Sequence, residues 1–212
     1  METIWKEIKN TPIDSASLGE LFPKHKYKNN KISALEKRGE LIRLKQGLYV
    51  PATRMTGRRL SLELIANHLY GPSYVSMSTA LRFYGLIPES VYCICSMTMK
   101  HSRTFTNSLA TFEYIHTDPT VFSIGIRSVI EDDTSFLIAS PEKALCDLIA
   151  NIPGLNLRFR KEITVWLEED IRFDTDALTE FDIDVLKEYA KVGKKKNMIN
   201  QLIKLIENEH AL

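Results

Sequence analysis

No stretch of this 212-residue chain is apolar for the ~20 residues that a bilayer-crossing helix needs. The first ten residues, METIWKEIKN, hold acidic side chains and no apolar run, which predicts no secretory signal. Cysteine is scarce: Cys93, Cys95 and Cys146 are an odd set of three, which fits a reducing cytoplasm better than a disulfide framework. The five histidines (His25, His68, His101, His116 and His210) are far apart, so no paired spacing supports a metal centre. No phosphate-binding glycine loop, dinucleotide fingerprint or nucleophile elbow is present, and the paired Asp132 and Asp133 read as a solvated turn. Cys93 and Cys95 share one side of an expected strand and read as buried core. Thr98–Arg103, polar and basic, reads as a solvated loop. The sequence therefore predicts no enzyme, no cofactor and no metal.

What is present is charge asymmetry. Net charge is only +1, yet residues 1–60 hold 13 Lys and Arg against 6 Asp and Glu, while residues 61–212 hold 15 against 21. A basic first part beside an acidic remainder points to nucleic acid as a partner of the first part. Eight basic and two acidic residues fall between Lys24 and Lys45.

The order of elements agrees. Ile4, Trp5 and Ile8 have helical spacing, and Thr11-Pro12 ends that turn. Asp14 or Ser15 caps a second helix carrying Leu18, Leu21 and Phe22, stopped by Pro23. A third helix is expected over Asn29–Arg38, with Gly39 just past its end. Leu41–Leu44 and Leu48–Val50 flank a turn at Lys45-Gln46-Gly47 and predict a hairpin. Three helices and a basic hairpin describe a winged helix-turn-helix over residues 1–51.

On a helical wheel Ile32 and Leu35 face the core. The opposite face holds Asn30, Ser33, Ala34 and Lys37, flanked by Lys31 and Arg38. Asn pairs two ways with adenine, Lys reaches guanine acceptors and Ala touches a thymine methyl. Lys24, Lys26 and Lys28 are placed to hold phosphates. Arg43 and Lys45 point off the wing, whose Ile42, Leu44, Leu48 and Val50 pack inward. The rival is a solvated helix that merely happens to be basic.

Residues 51–58 (PATRMTGR) read as a linker. The remainder, 59–212, alternates helices and strands. Helices are expected over Arg59–Leu69, from Ser76 or Ser78 to Gly85, and from Pro141. Strands are expected over Val91–Met99, Thr111–Thr117, Val121–Ser128 and Ser135–Ile138. The expected class is α+β: a winged helix-turn-helix followed by a mixed α/β C-terminal domain, with a small sheet in about 59–150 and a helical tail in about 160–212. Ser140, Pro141 and Glu142 suit a helix start. Lys143 and Asp147, four apart, are expected to pair weakly on the surface. Leu167–Asp184 is acidic apart from Arg172, which argues against a DNA contact there. The lysines 194–196 read as a solvated joint.

Three segments, GELIRLKQGLYVP (Gly39–Pro51), SYVSMSTALRFYGLIPE (Ser73–Glu89) and IASPEKALCDLI (Ile138–Ile149), together resemble the AbiEi antitoxin family of bacterial abortive-infection systems. The resemblance implies a winged helix-turn-helix that represses its own promoter at inverted repeats, with DNA contacts carried over by position to the helix Asn29–Arg38 and the wing Arg43–Gly47, Asn29 and Gln46 included. Repeats are usually read by two copies, as a homodimer or as monomers side by side. It also implies a C-terminal domain with antitoxin activity of type IV, which opposes a nucleotidyltransferase-like toxin without a stable complex. Ser76, Ser78, Tyr84, Gly85, Ser140, Glu142, Lys143 and Asp147 fall in its two C-terminal motifs, with no chemical role assigned. The alternative is a transcription factor whose C-terminal domain senses a small ligand.

Overall fold

The computed structural model describes Trp5 and residues 8–88 and 93–209. The expected first helix around Ile4 lies partly outside these residues, as do the first two positions of the expected strand Val91–Met99 and His210. The chain is mixed α+β, with two sheets and two hydrophobic cores among the described residues. No helix among the described residues is long and apolar enough to cross a membrane.

The smaller core gathers Trp5, Leu18, Phe22, Ile32, Leu35, Leu41 and Tyr49. Strand β1 (Ile13–Asp14) leads into α1 (Ser15–Glu20), whose cap is Asp14: its carboxylate accepts from the amides of Ala16 and Ser17 at 2.9 Å. Helix α2 (Lys28–Lys37) buries Ile32 and Leu35 and ends before Gly39, which takes the left-handed conformation (φ 67°) open to glycine. Strands β2 (Leu41–Lys45) and β3 (Leu48–Pro51) form an antiparallel hairpin turned at Gly47 (φ 76°), with β1 beside β3.

The hairpin departs from simple alternation. Its register shifts between Arg43 and Lys45, the signature of a bulge, so Leu41 and Leu44 are both buried. The two faces serve different cores. Leu41 and Tyr49 belong to the small one, whereas Leu44 and Val50 belong to the large one, with Ile42 and Leu48 packed against it.

The expected linker is not one. Pro51 ends β3, and α3 (Thr53–Thr56) follows directly, closed by Gly57 at φ 72°. Met55 packs against the small core, Arg54 donates to the Arg38 carbonyl and Thr56 donates to Asn10. Composition alone cannot reveal such tertiary contacts. At the other end of this seam Asp133 accepts ion pairs from Lys9 (3.0 Å) and Arg58 (3.3 Å).

Helix α4 (Leu62–Leu69), capped by Ser61, precedes β4 (Ser73–Val75), a short strand not foreseen from the sequence. Helix α5 (Met77–Phe83) follows, stopped at Gly85 (φ 75°). Then come β5 (Cys93–Thr98), β6 (Arg103–Thr106) and β7 (Thr111–His116). The expected strand Val121–Ser128 is replaced by α6 (Pro119–Phe122) and β8 (Ile126–Glu131). The cause is local: Asp118 caps Thr120 and Pro119 sits in the first turn, a helix start that β-branched neighbours masked. Strand β9 (Thr134–Ala139) completes a six-stranded sheet of order β6-β7-β5-β4-β9-β8, parallel at β5/β7 and β4/β9 and antiparallel elsewhere.

Helix α7 (Pro141–Asn151) packs against α5 and β9, with Glu142 through Ala150 all buried. Helix α8 (Arg160–Val165) runs into a wide turn at Trp166–Asp170, followed by a tight one at Thr175–Glu180. Helices α9 (Ile183–Val192) and α10 (Lys196–Glu209) end the chain. The acidic residues Glu168, Glu169, Asp170, Asp174 and Asp176 are exposed, as expected.

Because the hairpin belongs to both cores, they should unfold together. The two tryptophans report one core each, Trp5 the small and Trp166 the large. Single-tryptophan variants (Trp5→Phe and Trp166→Phe) should give coincident urea transitions. Leu44→Ala should lower both midpoints, at a cost of about 2–5 kcal/mol. The Asp133 carboxyl is held below its ordinary value of 3.8 first by the hydrogen bond from Lys9, then by that from Arg58. A depressed folded value means its contribution is present above that ordinary value and lost as pH falls through the folded one. Asp133→Asn should therefore flatten stability against pH only at the acidic end, measured by urea titration.

Candidate functional site

Two constellations stand out: the basic face of α2 with its hairpin, and a buried charged cluster beneath the large sheet.

On the basic face, Asn29, Asn30, Ser33 and Lys37 are exposed on α2 and Ala34 is half-buried beside them. Lys24 and Lys26 before the helix, and Arg43 and Gln46 on the hairpin, are exposed as well. Lys24, Lys26, Lys31, Lys37 and Arg43 have no ion-pair partner among the described residues, although Lys31 lies 5.7 Å from the Phe22 ring centroid. Lys28 bonds Glu20 at 2.6 Å and Arg38 bonds Glu40, so these two cations are partly neutralised.

Lys45 corrects the expectation. It does not project from the hairpin: its ammonium donates to the Leu69 carbonyl and lies 5.8 Å from the Phe105 ring centroid. Burial, then the nearby charges of Arg103 and Lys100, lower its pKa. The bulge beside it is the reason, since it turns the strand toward the second core. On the same side, Asn107 donates to the Leu44 carbonyl at 3.2 Å. Tyr27, 65% exposed and 5.6 Å from the Lys26 ammonium, is an aromatic on this face that the sequence reading did not single out. An exposed ring inside a run of lysines was the available signal.

The second constellation overturns the expected surface pair. Lys143 and Asp147 are fully buried, 3.2 Å apart, one turn of α7 from each other. Asp147 also accepts from Ser76 (2.8 Å) and Tyr74 (3.0 Å) of the β4–α5 segment and from Tyr189 (3.1 Å) of α9. Lys143 donates to the Val121 carbonyl at 2.8 Å and lies 4.5 Å from the Tyr189 ring centroid. Ser76 occupies the cap position of α5 but caps nothing; its hydroxyl turns to Asp147 instead. Met77, next in the chain, adopts a left-handed φ of 56°, unusual for a side-chain-bearing residue, and this lets the chain turn there. The surface expectation failed because Glu142 through Ala150 of α7 are all buried, which the four-residue spacing of the two charges does not reveal.

Two glycines close over this cluster. A Cβ on Gly193 would overlap the Tyr189 ring. One on Gly125, itself at φ 58°, would meet Lys143 and Val185 at 2.9 Å. Of the remaining motif residues, Ser140 caps α7 as expected by accepting from the Lys143 amide. Glu142, also buried, accepts from the Asp182 amide at 3.0 Å and lies 3.8 Å from Arg127. Tyr84 is half-buried, Ser78 is half-buried on α5, and Gly85 is that helix's exposed stop. The expected lysine joint is tied down: Lys195 donates to the Ile152 carbonyl at 2.7 Å and Lys196 to that of Lys191 at 2.6 Å.

Burial pushes the Asp147 carboxyl up and the Lys143 ammonium down, and the charge of each opposes the shift of the other. Both tyrosine hydroxyls are held firmly protonated by burial and then by the Asp147 charge. Tyr74 and Tyr189, which the sequence reading passed over, are thus donors to one buried carboxylate. With every Asp147 contact made inside the protein, the arrangement acts as a pin joining β4, α7 and α9.

No protein-family model matches the chain, and no curated protein matches it.

Removing one partner of a buried pair strands the other charge, so Asp147→Ala should cost about 3–5 kcal/mol in urea unfolding. Tyr189→Phe removes a single hydrogen bond to a charged group and should cost about 1.5–3 kcal/mol.

Proposed function

We propose that this chain is a DNA-binding autorepressor and the antitoxin of a type IV abortive-infection pair, akin to the AbiEi family. In this reading β1, α1, α2 and the β2–β3 hairpin act as a winged helix-turn-helix, with α2 in the major groove. The observation that carries it is the exposed face of Asn29, Asn30, Ser33 and Lys37, near Lys24, Lys26, Lys31 and Arg43, which have no ion-pair partner among the described residues. Asn and Lys on a groove-facing helix read base edges. Lys24, Lys26 and Arg43 hold backbone phosphates around them.

The partner of the first part is the promoter of its own operon, read at inverted repeats by two copies of the chain. The antitoxin half opposes a nucleotidyltransferase-like toxin made from the same operon, without a stable complex between them. It rests on the resemblance of the segments that build the buried cluster. The protein acts in the cytoplasm and carries out no catalysis of its own in this role.

Purified protein should bind its own upstream DNA with affinity that falls steeply as salt rises, measured by fluorescence anisotropy. Lys37→Ala should relax sequence preference. Arg43→Ala should weaken all sequences alike and lower the salt slope by about one. Lys45→Ala, by contrast, should act through stability, because that ammonium faces Leu69. Failure to bind upstream DNA at low salt would end the repressor half. For the antitoxin half, the neighbouring toxin is co-expressed and growth is scored. Lys37→Ala with Arg43→Ala should lose repression and keep rescue, whereas loss of both would mean that the two activities are one.

A further inference from the structure

We propose that Cys93, Cys95 and Glu113 form a binding site for one thiophilic divalent cation of the zinc class on the face of the large sheet. The sequence reading assigned the two cysteines to the core. What spacing could not show is the third group: β5 and β7 are parallel neighbours, with Cys95 directly opposite Glu113 and Cys93 opposite Thr111. Alternation puts both thiols on one face, with the carboxylate beside them. The two Sγ atoms and a carboxylate oxygen all lie within 4.8 Å of one another. Tetrahedral zinc with bonds of about 2.3 Å to sulfur holds its ligands roughly 3.8 Å apart, so a small contraction closes the site.

The surroundings favour a cation. Three acidic groups converge there, and no Lys or Arg pairs with Glu113 among the described residues. A divalent ion held here would stabilise the thiolates as its ligands. Two sulfurs with one carboxylate select a zinc-like ion over magnesium or calcium, which prefer all-oxygen sets.

The ligands are held in place. The Thr79 hydroxyl of α5 accepts from the Cys95 amide at 2.9 Å and donates to the Cys93 carbonyl at 3.3 Å, pinning the backbone that carries both sulfurs. Cys95 is buried, Cys93 half-buried and Glu113 exposed, which gives the ion a dry side and an entry path. Three protein ligands leave the fourth position to water. This inference does not depend on DNA binding.

The test is titration of the reduced, purified full chain with Co2+, a spectroscopic stand-in for zinc. A thiolate-to-cobalt charge-transfer band should saturate at one ion per chain and vanish on adding Zn2+. Cys93→Ser should abolish it. Glu113→Gln, on the exposed side, should weaken binding by at least about tenfold, and Thr79→Val by about 10- to 100-fold, with the fold checked by circular dichroism. No thiolate band with Co2+ in excess would overturn the proposal. So would a band that survives Cys93→Ser, or Glu113→Gln binding as tightly as the parent chain.

Discussion

The ion pair of Lys143 and Asp147 is the constraint on which the larger part of the molecule turns. Two opposite charges without solvent contact are tolerable only when every lone pair and proton has a partner. Meeting that demand requires a strand, a helix start and a distant tail helix to arrive at one point. Tyr74 and Ser76 come from the β4–α5 corner, the Val121 carbonyl from α6, and Tyr189 from α9. Apolar packing alone would let these elements slide by a fraction of a turn. A carboxylate with four directed contacts does not.

The same requirement explains local features that otherwise look costly. Met77 holds a left-handed backbone, Ser76 forgoes its capping bond, and Gly125 and Gly193 lack side chains where the helices draw close. Each is a concession by local structure to one tertiary site. Natural chains break local rules where a buried polar group sets the geometry.

What could be read from the sequence divides along the same line. Helix α2, Gly39 and the hairpin were legible because caps, stops and turns are written within a few residues of where they act. So was the capping of α7 by Ser140. Lys143 and Asp147 were misread as a surface pair because the spacing of two charges on a helix says nothing about what covers them. The residues 51–58 looked like a linker by composition, yet Met55 and Thr56 make contacts that only the folded chain creates. Lys45 was misplaced for a similar reason: a one-residue bulge re-aims a side chain, and bulges have little sequence signature. The strand expected at Val121 is different, since the Asp118-Pro119 start was present and underweighted.

Asn107 at the open side of the hairpin has one more effect. In the three-stranded sheet β2 is an outer strand, and an outer strand with free carbonyls is a template on which another chain can add. The Asn107 amide occupies the Leu44 carbonyl, and the β6–β7 loop that carries it lies along this edge. The lone hairpin, cut away from the rest, would regain a sticky border. Within the whole chain that border is occupied at Leu44, so crowded copies of the chain meet there without zipping their sheets together.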